Sequence, residues 1–186
     1  MKRCFPKNDD APLLTKYHDH EWGKLNLNEN YLYEMMVLES FQSGLSWQLV
    51  LDKRENFRQA FAGFNVERVA KFTSNQRKQL LKNRGIIRNQ RKIDAAINNA
   101  RVMTKIHREG HQLRTVLTTL IPQPIINHPQ QFTDIPTQNR LSRNLAKEFK
   151  EIGFQFMGPV TTYSFLEAVG LINDHIEDCP FKYTTT

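Results

Sequence analysis

Cysteine is nearly absent, with two in 186 residues, too few for a disulfide-built scaffold. No apolar run is long enough to cross a bilayer, and the opening MKRCFPKNDD carries no apolar stretch of the kind a secretory leader needs. Together these absences predict a cytoplasmic protein with reduced thiols and no membrane partner. Acidic residues are also in deficit, 19 against 26 lysines and arginines, for a net charge of +7. Such a surplus favours a polyanionic partner such as nucleic acid, although many basic proteins bind none.

Alternating strand patterns are scarce too, and their absence leaves helix as the main way to bury the 39% of residues that are hydrophobic. That content suffices for one core or for two lobes sharing a cleft. Apolar residues recur at three- and four-residue steps, and the chain reads as all-α, with helices expected over residues 29–42, 46–61, 65–71, 75–83, 88–108, 112–120, 138–151 and 160–170. Asn28, Asn65, Ser74 and Thr137 are the expected N-caps, and Gly85, Gly153 and Gly170 the expected helix stops. One long loop, 121–139 with four prolines, is read as a connection between lobes or as a surface excursion.

The two cysteines and their spacing point to chemistry. Cys4 with His18 near the start, and His175 with Cys179 near the end, form a donor set suited to tetrahedral zinc, and four protein ligands would make the ion structural. The same residues also allow a Cys4–Cys179 disulfide or two unrelated thiols. Two helix–turn–helix units stand out, residues 80–100 and 145–170. In the second, Gly153 and Gly158 bracket a short apolar turn before a new helix, an arrangement that can offer backbone N–H groups to phosphate or can be plain bundle architecture. Arg84, Arg88, Arg91 and Lys92 flank the first unit, and Arg140, Arg143, Lys147 and Lys150 precede the second. Such runs either support anion binding or solvate a helix face. Glu39 interrupts an apolar helix face between Leu32, Met35 and Met36, away from Glu34. It is either a buried carboxylate needing a partner or a glutamate at the rim or past the helix end.

The segments YHDHEWG (17–23), LESFQSGLSW (38–47), KRENFRQAF (53–61), GIIRNQRKI (85–93), GFQFMGPV (153–160) and YSFLEAVGLINDH (163–175) together resemble the DNA-3-methyladenine glycosylase I family, in the same order and from Arg3 to about Cys179. The resemblance implies a single domain, 1–186, with the helix-hairpin-helix glycosylase fold. Two helical lobes would flank a cleft, one built from the terminal segments and the other from the central helices with the hairpin at about 145–170. It implies one structural Zn2+ per chain on Cys4, His18, His175 and Cys179, and a monomer acting on double-stranded alkylated DNA. The implied activity is monofunctional: the damaged nucleotide rotates out of the duplex, 3-methyladenine is excised by hydrolysis, and an abasic site remains for base excision repair.

The same resemblance places the base contacts on Tyr17, Glu39, Trp47, Trp22 and Asn173, the catalytic role on Glu39, and the DNA-backbone contacts on Gly153 and Gly158. Read alone, a single Tyr or Trp is more often ordinary core. Asn173 stands where related glycosylases carry a catalytic aspartate, so the leaving group would have to be activated already. Val160 stands where strand-cutting relatives carry a lysine, so no lyase step is expected. Departures from the family pattern at Phe5-Pro6 and Leu14 leave the pocket rim in residues 5–16 open, with Phe5 as a partial replacement for a missing indole. The reading from a different class is a non-catalytic zinc-containing helix-hairpin-helix module that recognises damage without breaking a bond.

Overall fold

The computed structural model describes residues 3, 4 and 11–183; Phe5 and Pro6 lie outside them. Ten α-helices occur among the described residues: α1 Pro12–His20, α2 Glu29–Gln42, α3 Trp47–Asp52, α4 Arg54–Ala60, α5 Val66–Ala70, α6 Ser74–Lys82, α7 Gln90–Arg108, α8 Leu113–Leu120, α9 Arg140–Ile152 and α10 Pro159–Ala168. No helix among them is long and apolar enough to cross a membrane. Two short strands, β1 Ile125–Ile126 and β2 Ile172–Asn173, pair in parallel with Ile125 opposite Ile172.

Helix α2 is the axis of the molecule. The Asn28 side chain accepts the Asn30 and Tyr31 N–H groups at 3.0 and 3.2 Å, satisfying donors that the first turn cannot pair internally. From Leu32 to Phe41 every residue of α2 is buried, because α3, α5, α7, α8 and α10 pack around it. A helix surrounded on all sides has no polar face, so the expected one-sided placement of Glu39 away from Glu34 does not hold: both are buried. Phe41, Phe57, Phe61, Phe64 and Phe72 form a chain of stacked and edge-on rings that locks α2 to α4 and its following turn.

Lys92, expected on a basic surface, is buried, and its ammonium donates to Phe41 O at 2.9 Å and Ser43 O at 2.6 Å. It satisfies carbonyls at the end of α2 that have no partner within the helix. Arg84, Arg88 and Arg91 are exposed as expected.

Several boundaries differ from expectation. The single helix expected over 46–61 breaks at Lys53 into α3 and α4. Helix α1 was not anticipated: it opens on Ala11 and Pro12 with no side-chain cap, so the usual start signal is missing. Thr73 rather than Ser74 caps α6, with Gln76 returning the bond, and Asn139 rather than Thr137 caps α9, with Ser142 returning it. The 121–139 loop is not wholly irregular, since β1 pins it to the chain after α10.

At that crossing Gly170 has φ +73°, and a Cβ there would lie 2.1 Å from the Lys24 carbonyl carbon. Only glycine allows the approach. It lets Gly23 N–H bond Glu167 O at 2.9 Å and Asn26 N–H bond Val169 O at 3.0 Å, docking the segment after α1 against the end of α10.

Candidate active site and metal centre

Helix α1 carries Tyr17 and His18 side by side. Consecutive helical residues diverge by about 100°, so one element serves two sites. His18 Nε2 lies 3.7 Å from Cys179 Sγ, and His175 Nδ1 lies 3.3 Å from Cys4 Sγ and 3.4 Å from Cys179 Sγ. All four donor atoms fall within 4.8 Å of one another, and all four residues are buried. A tetrahedron with zinc bond lengths has edges of about 3.3–3.8 Å, close to these separations. Both cysteines are free thiols.

The outer contacts set the imidazole tautomers. His175 Nε2 donates to Trp22 O at 3.0 Å, leaving Nδ1 as a lone pair facing both sulfurs. His18 Nδ1 bonds Asp19 Oδ1 at 2.8 Å, leaving Nε2 toward the cluster, and Arg3 braces Asp19 from the other side. This is the arrangement that orients metal-ligating histidines. Burial holds His175 down at about 4 and lowers His18, while burial also pushes the Cys4 thiol up to about 12. Uncharged imidazoles are ligand-ready, and the buried Cys4 thiol would need a cation to ionise. The donor set, spacing and tautomers fit a divalent N/S-binding ion such as zinc.

Against this cluster lies a cavity of about 940 Å³. Tyr17 and Trp47 form its aromatic side, with ring centroids 5.2 Å apart in an edge-on arrangement, and Trp22 and His18 complete it toward the Cys/His cluster. Leu14, Phe132, Ile135 and Val160 supply apolar walls. The 121–139 loop therefore contributes directly to the pocket. The indole N–H of Trp47 is buried without a protein partner.

Glu39 lines this cavity from α2 and is buried. Among the described residues no cation or hydrogen-bond donor compensates it, and burial pushes its carboxyl up to about 8. Desolvation penalises the charged form most where no opposite charge is near. Tyr17, wholly enclosed, is raised by burial and further by the nearby Glu39.

Tyr17, Trp22, Glu39 and Trp47 thus line one pocket. Asn173 does not join them. Its amide donates to Lys182 O at 2.8 Å and its carbonyl oxygen accepts His175 N–H at 3.1 Å, so both ends are engaged in holding the C-terminal segment. Glu167, Tyr163 and Ser164 of α10 line the pocket without having been anticipated. Glu167 offered a signal in the sequence, as the one charged residue of α10 and set among Phe165, Leu166 and Ala168.

The α9–α10 turn forms the neighbouring rim. Gly153 ends α9 at φ 108° in the left-handed region. Asn99 clamps the turn by accepting Gln155 N–H at 2.8 Å and donating to Gln155 O at 3.0 Å. Gly158 precedes α10 with no side-chain cap, and Thr162 N–H bonds Gly158 O at 2.8 Å. Because Pro159 has no N–H, Val160 and Thr161 provide the uncapped donors of the first turn. Space beside Gly158 is open, and Arg91 lies 5.9 Å from the exposed Phe156 ring of the turn.

A family model described as methyladenine glycosylase matches residues 7–183. DNA-3-methyladenine glycosylase 1 of Escherichia coli is 38% identical over 96% of both chains. A crystal structure of 3-methyladenine DNA glycosylase I superposes with a TM-score of 0.92 at 39% identity, covering 100% of each chain. The glycosylase I of Staphylococcus aureus, solved to show the structural basis of 3-methyladenine recognition, matches with a TM-score of 0.89 at 34% identity over 94% of each chain.

Proposed function

The chain belongs to the methyladenine glycosylase family, and on that premise we propose how its pocket excises 3-methyladenine from alkylated DNA in base excision repair. The enzyme is a hydrolase of N-glycosyl bonds. The damaged nucleotide leaves the stack, at a cost of a few kcal/mol that is smaller for a damaged base, and its base is held against Tyr17 and Trp47. Aromatic stacking contributes roughly 1–3 kcal/mol per base.

Selection rests on Glu39. With its carboxyl held near 8, it is mostly uncharged at neutral pH when the pocket is empty. A base methylated at N3 is cationic while attached to the sugar, and its positive charge offsets the penalty of ionising Glu39. A neutral purine offers no such offset. The cationic base is already a good leaving group, so water can complete the hydrolysis without a strong general acid. Val160 at the start of α10 has no amine to form a Schiff base, and the product is an abasic site with the strand uncut.

The α9–α10 unit is the helix-hairpin-helix element in this reading. Its uncapped N–H groups at Val160 and Thr161 would bind backbone phosphate, supported by the exposed Arg84, Arg88 and Arg91. Cys4, His18, His175 and Cys179 would hold one zinc, which ties the chain termini together and fixes α1 beside the pocket. The assignment is to one domain of two lobes, acting as a cytoplasmic monomer on double-stranded DNA.

The observation that carries the reading is an unpaired, buried carboxyl within an aromatic pocket. Incubating stoichiometric protein with methylated duplex DNA and measuring free 3-methyladenine tests it. Release supports the glycosylase; tight binding with no release would leave a damage-recognising module instead. Elemental analysis near one zinc per chain is expected, and a metal-free folded protein would remove the metal from the account.

A further inference from the structure

Helix α7 buries an apolar face built from Ile93, Ala96, Ile97, Ala100 and Met103, and Asn99 interrupts it. Asparagine is a poor residue for a helix interior, and an amide enclosed this deeply, 1% exposed, is costly unless both of its ends are bonded. Both ends are bonded, and to one residue: Oδ1 accepts Gln155 N–H at 2.8 Å and Nδ2 donates to Gln155 O at 3.0 Å. Asn98, one position earlier, donates to Gly153 O at 2.9 Å. Two consecutive side chains of α7 thus hold the α9–α10 turn by its main chain.

The turn needs holding. Gly153 and Phe156 lie on either side of Gln155 at φ 108° and 58°, and a residue with a side chain keeps that left-handed conformation only where its surroundings fix it. Fixed in this way, Phe156 turns its ring outward, 37% exposed, and the guanidinium of Arg91, also on α7, lies 5.9 Å from the ring centroid, at the outer edge of cation–π range. We propose that Asn99, with Asn98 beside it, positions the DNA-backbone grip: the buried amide fixes the shape in which the turn directs the Val160 and Thr161 N–H groups and the Arg91–Phe156 pair at one stretch of backbone phosphates. Asn99 acts through Gln155 and touches no DNA itself. Its loss should release the turn toward water, where the freed Gln155 main-chain groups can be hydrated, and leave Tyr17, Glu39 and Trp47 in place.

This inference rests on the α9–α10 unit being the DNA-binding element, and Gly158 tests that premise separately. A Cβ at Gly158 meets nothing within 4 Å, so Gly158→Gln should fold normally and weaken binding of an abasic duplex by bulk alone; unchanged affinity would overturn the premise, and the role of Asn99 with it. Once Gly158→Gln shows that loss, Asn99→Ala should bind the abasic duplex about tenfold less tightly, through the hydrogen bonds removed, while calorimetry with free 3-methyladenine returns the wild-type affinity. In single-turnover excision its half-saturating protein concentration should rise and its maximal rate stay. Wild-type duplex affinity in Asn99→Ala would refute the positioning role, and so would an equal loss of free-base affinity, which would mark Asn99 as ordinary core. If Asn99→Ala does not fold, Asn98→Ala decides: loss of its single bond to the turn should weaken duplex binding about threefold with free-base affinity intact, and no change in duplex binding would overturn the proposal.

Discussion

Helix α2 holds two buried glutamates five positions apart, and their surroundings differ completely. In its N-terminal half, Glu34 Oε1 accepts Arg54 Nε at 2.6 Å and Arg58 Nε at 2.9 Å. Arg54 continues to Glu21 at 2.7 Å, linking the turn after α1 to α2 and α4. In its C-terminal half, Glu39 meets aromatic rings and a cavity, with no cation beside it among the described residues. Burial alone does not assign a carboxylate its role. Where the fold supplies the compensating charge, the acid fastens helices together; where the fold withholds it, the acid is left to answer a charge brought by a ligand.

The sharpest way to break this contrast is at Arg54, whose side chain is 10% exposed. Arg54→Met leaves Glu34 with a half-exposed partner and should cost about 3–5 kcal/mol of stability in urea unfolding, the usual penalty for stranding one member of a buried pair. A loss below 1 kcal/mol would mean that Glu34 is not held by the network. The opposite behaviour is expected at Glu39. Its folded-state carboxyl sits at about 8 against a usual 4.5, so the folded chain binds the extra proton between those values. Stability contributed by that proton is lost as pH rises through the window, by at most about 1.4 kcal/mol per pH unit. Glu39→Gln has no such titration, and its stability relative to the wild type should climb from pH 5 to pH 8. Parallel pH profiles would place Glu39 in a solvated or paired setting. The smallest effect belongs to Arg58, 42% exposed, where Arg58→Ala should change stability by under about 1 kcal/mol; a loss like that of Arg54→Met would make the two arginines equivalent.

Much of the helical framework was legible in the sequence because its signals are local: the Asn28 cap marks the start of α2, and periodicity defines α7. Helix α1 lacked a cap and stayed invisible to the same rule. The four residues of the Cys/His cluster were legible as a donor set, yet their convergence depends on a fold that brings both ends together, and the family resemblance supplied that. Glu39 was singled out by an apolar helix face that does not exist, since α2 is buried all round, and the resemblance gave it its role. The difference between Glu34 and Glu39 could not be read at all, because Arg54 and Arg58 reach α2 only through tertiary packing. Lys92 and Asn173 escape the sequence for the same reason: the Phe41 carbonyl that draws Lys92 inward lies 51 residues away, and the Lys182 carbonyl that engages the Asn173 amide lies 9 residues away.

The most direct test of the role of Glu39 is the single-turnover rate of 3-methyladenine release from methylated duplex DNA by Glu39→Gln beside the wild type, with circular dichroism confirming equal folding. The expected result is a rate lowered about a hundredfold, the size seen when one preorganised charge-stabilising group is removed. An unchanged rate in a well-folded Glu39→Gln protein would contradict the claim that this carboxyl selects the cationic base.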